Sequence, residues 1–328
     1  MKIAVLGGGS WATAIVKIAS ENHNEVFWWV REKAIEKSVR KYGYNALYLR
    51  SCELDSHKIH ISTKIEDIVT ETKNIVLVIP SAFLADSLKG LTNNDFKGKN
   101  VISAVKGIVP QTNRIVADFL YDKYGLSMEH QAVVSGPSHA EEIAAQRLTY
   151  LTIGSKNETL AKHFATKFAC RYVKTTTSTD ITGIEYGGVL KNIYALAAGI
   201  CKGLNYGDNF VSVLITRAIV EMETFLDKIA PCEERNINRS VYLGDLLVTA
   251  YSQHSRNRTF GQMLGQGYSI ASAQLEMSMI AEGYYASKSI HAINQSIKAH
   301  IPIADAVYRI LYEDAPANTE IKQLSESF

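Results

Sequence analysis

The feature that most constrains this chain is a change of rhythm part-way along it. Short runs rich in β-branched residues, "KIAVLG" (2–7), "NEVFWWV" (24–30), "KIHIS" (58–62), "NIVLVIP" (74–80), "NVISAVKG" (100–107) and "QAVVSGP" (131–137), alternate with amphipathic stretches. Parallel strands need a long crossover between them, and helices supply it, so this alternation predicts a mostly parallel sheet covered by helices. Two more candidate strands follow, "TYLTIGS" (149–155) and "RYVKTTT" (171–177). From about residue 181 the pattern is almost wholly helical, with runs at 183–202, 209–229, 241–251, 272–297 and near 303–313. The expected boundary lies near Asp180, between an α/β sheet domain over 1–180 and an all-α domain over 181–328, a division that the 328-residue length accommodates. Ligands commonly sit between two such lobes.

Bulk chemistry narrows the partners. A formal net charge of +2, without basic or acidic blocks, gives no strong attraction to nucleic acid or to a membrane surface, so a small-molecule partner is expected. No apolar run reaches membrane-spanning length, and a strand starting at the second residue leaves no room for a signal peptide. Cys52, Cys170, Cys201 and Cys232 are scattered, with no zinc-type spacing, which fits free thiols in a reducing, cytoplasmic compartment and no structural metal.

The first chemical motif is "AVLGGGSWATA" (4–14), where Gly7, Gly9 and Ala12 form G-x-G-x-x-A after a strand and at the opening of a helix. Gly7 permits a tight turn, and Gly9 lets the backbone approach a pyrophosphate. A small residue at 12 lets helix and strand pack, and the helix N-terminus supplies donors and a positive dipole. An NAD enzyme ends its second strand in an acid that accepts the ribose hydroxyls. Here that strand runs into Val30 and Arg31, with Glu32 only afterwards. Arginine suits a 2′-phosphate, so NADP is an expected cofactor alongside NAD, although a solvated loop charge explains Arg31 equally well.

Further along, "SAVKG" and "SGPSHAEE" place Lys106, Gly136, Ser138 and Ala140 at strand ends, where open α/β sheets bind ligands. Lys191 stands within the apolar stretch "GIEYGGVLKNIYALAAG" (183–199). A lone buried ammonium is costly, so Lys191 is paired with an acid, exposed at a helix rim, or facing a cleft. Gly187, Gly188, Ala195 and Ala198 thin the helix beside it, leaving room for a ligand. Asp245 and Thr249 lie four apart on one helical face, and Asp245 is the attractive partner for Lys191. In "YSQHSRNRTFG", Ser255, Arg256, Asn257 and Arg258 gather where a helix starts, which suits a phosphate monoester.

Taken in order, "GGGSWATA", "SAVKG", "SGPSHAEE", "STDITGIEYGGVLKNIYALAAGI", "GLNYGDN", "GDLLVTAYSQHSRNRTFG" and "AEGYYASK" resemble the NAD(P)-dependent glycerol-3-phosphate dehydrogenases of bacterial type over nearly the whole chain. The resemblance implies a Rossmann-like N-terminal domain and a helical substrate domain, with Lys191 as catalytic proton donor and acceptor. It implies that Lys106, Gly136, Ser138, Asn192, Asp245, Thr249, Ser255, Arg256 and Asn257 surround the substrate. Besides Gly7 and Gly9, it places Ser10, Trp11, Arg31, Lys106, Ala140, Arg256, Ile280 and Glu282 at the cofactor. It further implies a cytoplasmic homodimer that feeds glycerol phosphate into phospholipid synthesis. Three departures stand out: Ala12 where the family has glycine, His139 where it has phenylalanine, and "NALYLRSCELD" without the family's prolines. Two competing readings are a dehydrogenase of hydroxy acids or ketoacids, which would not call for the "SRNR" cluster, and a non-catalytic dinucleotide sensor.

Overall fold

A computed structural model describes residues 2–22, 25–277 and 281–328. The chain divides into two compact units, Met1–Val105 with Val116–Ile181, and Lys106–Ile115 with Thr182–Phe328.

The first unit holds an eight-stranded sheet among the described residues: β1 Lys2–Leu6, β2 Glu25–Trp29, β3 Ile59–Ser62, β4 Asn74–Leu77, β5 Asn100–Ser103, β6 Gln131–Ser135, β7 Thr149–Gly154 and β8 Val173–Ser178. All eight runs expected to be strands are strands. Their order is β3-β2-β1-β4-β5-β6-β7-β8, parallel throughout except where β7 runs against β6. Every residue of β4 and β6 is buried, because helices cover both faces of a parallel sheet. Edge strand β8, "VKTTTS", is mostly solvated. The helices of this unit are α1 Ser10–Glu21, α2 Lys33–Tyr42, α3 Ile65–Thr70, α4 Ser81–Ser87, α5 Asn93–Phe96, α6 Val116–Tyr124, α7 Ala140–Ala144 and α8 Glu158–Phe168.

From β1 the chain builds β2 and β3 on one side, then returns to β4 on the other. That reversal opens a crevice at the carboxyl end of β1, where α1 begins. Gly7 makes the turn at φ +139°, and a Cβ there would lie 2.4 Å from the Val78 carbonyl oxygen, so no side chain fits. Trp28 Nε1 donates to the Gly7 carbonyl at 2.6 Å, and Asn45 Nδ2 donates to that of Gly8 at 2.9 Å. Asn45 opens "NALYLRSCELD", and this segment clamps the glycine turn without prolines. The Asn45 amide also donates to Thr13 Oγ1 at 2.8 Å, and Ser10 Oγ donates to the Tyr48 carbonyl at 3.0 Å.

The second unit is helical: α9 Ile181–Gly203, α10 Asp208–Ile229, α11 Asp245–Tyr251, α12 Arg256–Gly265, α13 Ile270–Glu276, α14 Glu282–Ile297, α15 Pro302–Tyr312 and α16 Ala317–Ser327. The single run expected over 272–297 is two helices. Met277 leaves the helical conformation, and the small and apolar residues around it continue the apolar period, so the pattern hides the break. The run at 241–251 opens instead with a π-helical turn, Ser240–Gly244, ahead of α11. Lys106–Ile115 is a second departure, because it follows β5 in sequence yet packs with the helices. Asn192 explains why, since its Nδ2 donates to the Lys106 carbonyl at 2.8 Å.

Helix α9 is apolar all round and buried almost throughout, as an interior helix should be. Its small residues serve packing. A Cβ on Gly199 would sit 2.1 Å from the Arg258 carbonyl oxygen, and one on Gly261 2.1 Å from that of Leu196. Gly203 and Gly265 repeat the arrangement one turn on, at 2.3 Å from the carbonyls of Gln262 and Ile200. Four glycines thus let α9 and α12 touch backbone to backbone. Gly187, expected to leave room for a ligand, is instead filled by Tyr242, whose ring carbon lies 3.0 Å from where its Cβ would be.

Gly261→Val should therefore lower stability by about 3 kcal/mol or more, read as a reduced melting temperature, because the obstacle is backbone that cannot swing aside. Gly9→Ala, whose Cβ would meet open space, should leave that temperature nearly unchanged.

Candidate active site

Within the helical unit, α9 carries Lys191 and Asn192 in its buried middle. The Tyr242 ring that fills the notch at Gly187 seats the π-helical turn one helical turn before Lys191, and α11 follows directly. Asp245 and Thr249, four apart on α11, then present one face to the lysine. Lys191 Nζ donates to Asp245 Oδ1 and, at 3.0 Å, to Thr249 Oγ1. The Thr249 hydroxyl spends its own proton on the Asp245 carbonyl at 2.6 Å, so it meets Lys191 as an acceptor. On its other oxygen, Oδ2, Asp245 accepts from Lys106 Nζ at 3.0 Å.

Two ammonium groups therefore share one carboxylate. Asp245 is 1% exposed and Lys191 5%, so water screens little of this charge. Burial lowers the Lys191 pKa from 10.5 to about 7; Asp245 opposes the shift, and Lys106 adds to it. Burial raises the Asp245 carboxyl, but Lys106 and Lys191 outweigh it and hold it below the ordinary carboxylate value. Between pH 7 and 10.5 the folded chain holds less of the Lys191 proton than the unfolded one, so the contribution of this lysine to stability improves as pH rises through that window.

A second network is made of amides. Asn257 Nδ2 donates to Asn192 Oδ1 at 2.9 Å, and Asn257 Oδ1 accepts from the Gly283 backbone N–H at 2.9 Å. With Asn192 holding the Lys106 carbonyl, the relay joins Lys106, the middle of α9, the start of α12 and the start of α14. Expected to meet substrate, Asn257 is buried and gives both ends of its side chain to this relay. Ser255, also expected at substrate, caps α12 by accepting from Arg258 N at 3.3 Å. Arg256 stands exposed at the first residue of that helix. Glu282 opens α14, and Ile280 lies outside the described residues.

The remaining candidates belong to the sheet unit. Gly136 follows β6 at φ +129°, and a Cβ there would lie 2.6 Å from the Tyr150 carbonyl oxygen. Ser138 Oγ donates to the Gly136 carbonyl at 2.8 Å, and Ala140 is buried at the start of α7, behind His139. Gly7, Gly9, Ser10 and Trp11 form the turn into α1, with Trp11 Nε1 donating to the Ala104 carbonyl at 3.0 Å. This turn fits a dinucleotide: space over Gly9 is open, and no side chain caps the twelve-residue helix behind it. Arg31 lies beyond β2, with 69% of its side chain exposed and its guanidinium 2.7 Å from Glu32 Oε1. Phe83, absent from the sequence expectations, is an exposed aromatic in the first turn of α4, 6.0 Å from Arg31. Its sequence signal is faint: an aromatic three residues after Pro80, beyond the end of β4. No group of three or more potential metal-ligating His, Cys, Asp or Glu residues occurs among the described residues.

Family models described as the N-terminus and the C-terminus of NAD-dependent glycerol-3-phosphate dehydrogenase match residues 2–161 and 180–322. The chain belongs to this family. A protein of Staphylococcus saprophyticus named glycerol-3-phosphate dehydrogenase [NAD(P)+] is 32% identical, over 98% of this chain and 97% of its own. A similarly named protein of Staphylococcus epidermidis is 33% identical, over 99% and 98%. The crystal structure of a Coxiella burnetii glycerol-3-phosphate dehydrogenase superposes with a TM-score of 0.92 at 28% identity, covering 99% of this chain and 98% of that one. The shared carboxylate of Asp245 and its partner Lys191 both fall within the stretch that the C-terminal model matches.

Asp245→Asn should remove the carboxylate that Lys106 and Lys191 share and cost about 3–5 kcal/mol at neutral pH, measured by denaturant unfolding.

Proposed function

We propose that this chain interconverts dihydroxyacetone phosphate and sn-glycerol 3-phosphate with NAD(P)H, and that Lys191 carries the proton. The observation behind this reading is the pair of lysines on one buried carboxylate. Family membership supplies the substrate class, and the open, uncapped turn into α1 supplies a fit for the dinucleotide.

When bound, the nicotinamide supplies the hydride that reduces the ketone. As the ketone carbon is reduced, negative charge grows on its oxygen. A cluster of two cations and one anion has positive charge to spare for it, and stabilises the transition state more than the neutral ketone. Lys191 has three N–H groups as an ammonium and spends two, on Asp245 and Thr249. The third is the donor for the substrate oxygen, and a pKa of about 7 lets the same amine give that proton and take it back in the reverse direction.

Asn192 holds the Lys106 segment in place through its carbonyl, and Asn257 couples that hold to the helix that bears Arg256. Arg256 and the first amides of α12 are assigned to the substrate phosphate, so that phosphate binding aligns the ketone. A cytoplasmic location, a homodimeric state and supply of glycerol phosphate to phospholipid synthesis belong to the same proposal.

Lys191→Ala should leave NADH binding close to normal while kcat falls by about a hundredfold or more, with reduction by the parent enzyme declining as pH rises through about 7 and oxidation rising. A variant with kcat unchanged would remove the role from Lys191. In steady-state assays, Arg256→Ala should chiefly raise KM for dihydroxyacetone phosphate and narrow the preference over unphosphorylated dihydroxyacetone.

A further inference from the structure

We propose that Glu32 is the residue that discriminates between the two dinucleotides, an assignment that rests on the dinucleotide site proposed above. From sequence the acid falls late, two residues past Val30, and Arg31 takes the attention. The fold brings the carboxylate back. Glu32 Oε2 lies 3.2 Å from where a Cβ on Gly8 would be, so it sits against the glycine turn that opens α1. Its other oxygen, Oε1, accepts from Arg31 Nε at 3.1 Å and Nη2 at 2.7 Å. Glu32 immediately precedes α2, yet its side chain makes no capping bond, so the turn and Arg31 are its observed neighbours.

The pair therefore has an inside and an outside. The Glu32 side chain is 24% exposed and faces the turn, whereas the Arg31 side chain is 69% exposed. A dinucleotide whose pyrophosphate rests on the start of α1 brings its adenosine ribose to the end of β2. Two ribose hydroxyls can donate to the Glu32 carboxylate. A 2′-phosphate instead brings like charge against it, which is repulsive at this range. Arg31 offsets part of that repulsion by leaving Glu32 for the phosphate, a small loss because an exposed ion pair contributes little. Glu32 thus favours NADH, and Arg31 keeps NADPH admissible.

Fluorescence titration of the intact protein with NADH and with NADPH tests this directly, without turnover. Glu32→Gln should weaken NADH and strengthen NADPH, moving the ratio of dissociation constants about tenfold toward NADPH. Arg31→Ala should weaken NADPH while leaving NADH nearly as before. Glu32→Asp, which keeps the charge but withdraws it by one methylene, should fall between the parent and Glu32→Gln, and serves with Arg31→Ala if the glutamine variant does not fold. An unchanged ratio in Glu32→Gln, or equal loss of both cofactors in Arg31→Ala, overturns the assignment while leaving the dehydrogenase reading intact. A parent protein that binds neither dinucleotide overturns both.

Discussion

The helical unit is organised around a carboxylate that is outnumbered. Asp245 is buried and shared by two lysines, and it favours the charged form of Lys191, which burial opposes. The excess of one positive charge is costly to a resting fold and useful to a reaction that creates an oxyanion. Much of the surrounding architecture can be understood as support for that imbalance. The π-helical turn sets the entry of α11, Tyr242 docks it into α9, and Thr249 fixes the direction of the Lys191 amine.

Rigidity comes from two sources of different chemistry. The glycine seam between α9 and α12 is steric, because carbonyl oxygens occupy the space that side chains would need. The Asn192–Asn257 relay is directional, because each amide has its carbonyl and amino ends committed to specific partners. Together they tie the position of Lys191 to that of the helix start bearing Arg256. A shift of either helix would have to break buried hydrogen bonds or drive backbone into backbone.

The sheet was legible because strand burial leaves a direct mark: "NIVL" and "AVV" are apolar runs that a parallel core requires. The pairing of Lys191 with Asp245 was also legible, since an isolated charge in an apolar helix demands a partner. What could not be read was the identity of neighbours across long sequence separation. Gly187 looked like space for a ligand, but Tyr242, 55 positions on, fills it. Asn257 looked like a phosphate ligand, yet its amide is claimed by Asn192 and Gly283, which no local pattern reveals. Ser255 carries the same ambiguity, because a serine before a helix reads alike as a cap or as a ligand. Glu32 is hard to read for a related reason: strand period fixes where β2 ends but not where a flexible side chain beyond it reaches.

Lys106–Ile115 makes the chain visit the helical unit twice. The polypeptide enters the helical unit after Val105, goes back to the sheet at Val116, and departs for good after Ile181. Modular inheritance of the helical half is therefore constrained: a single junction near residue 181 would transplant Lys191 and Asp245 without the lysine that completes their cluster. A chimaera joined there would need a ten-residue Lys106–Ile115 segment that already fits its new helical half.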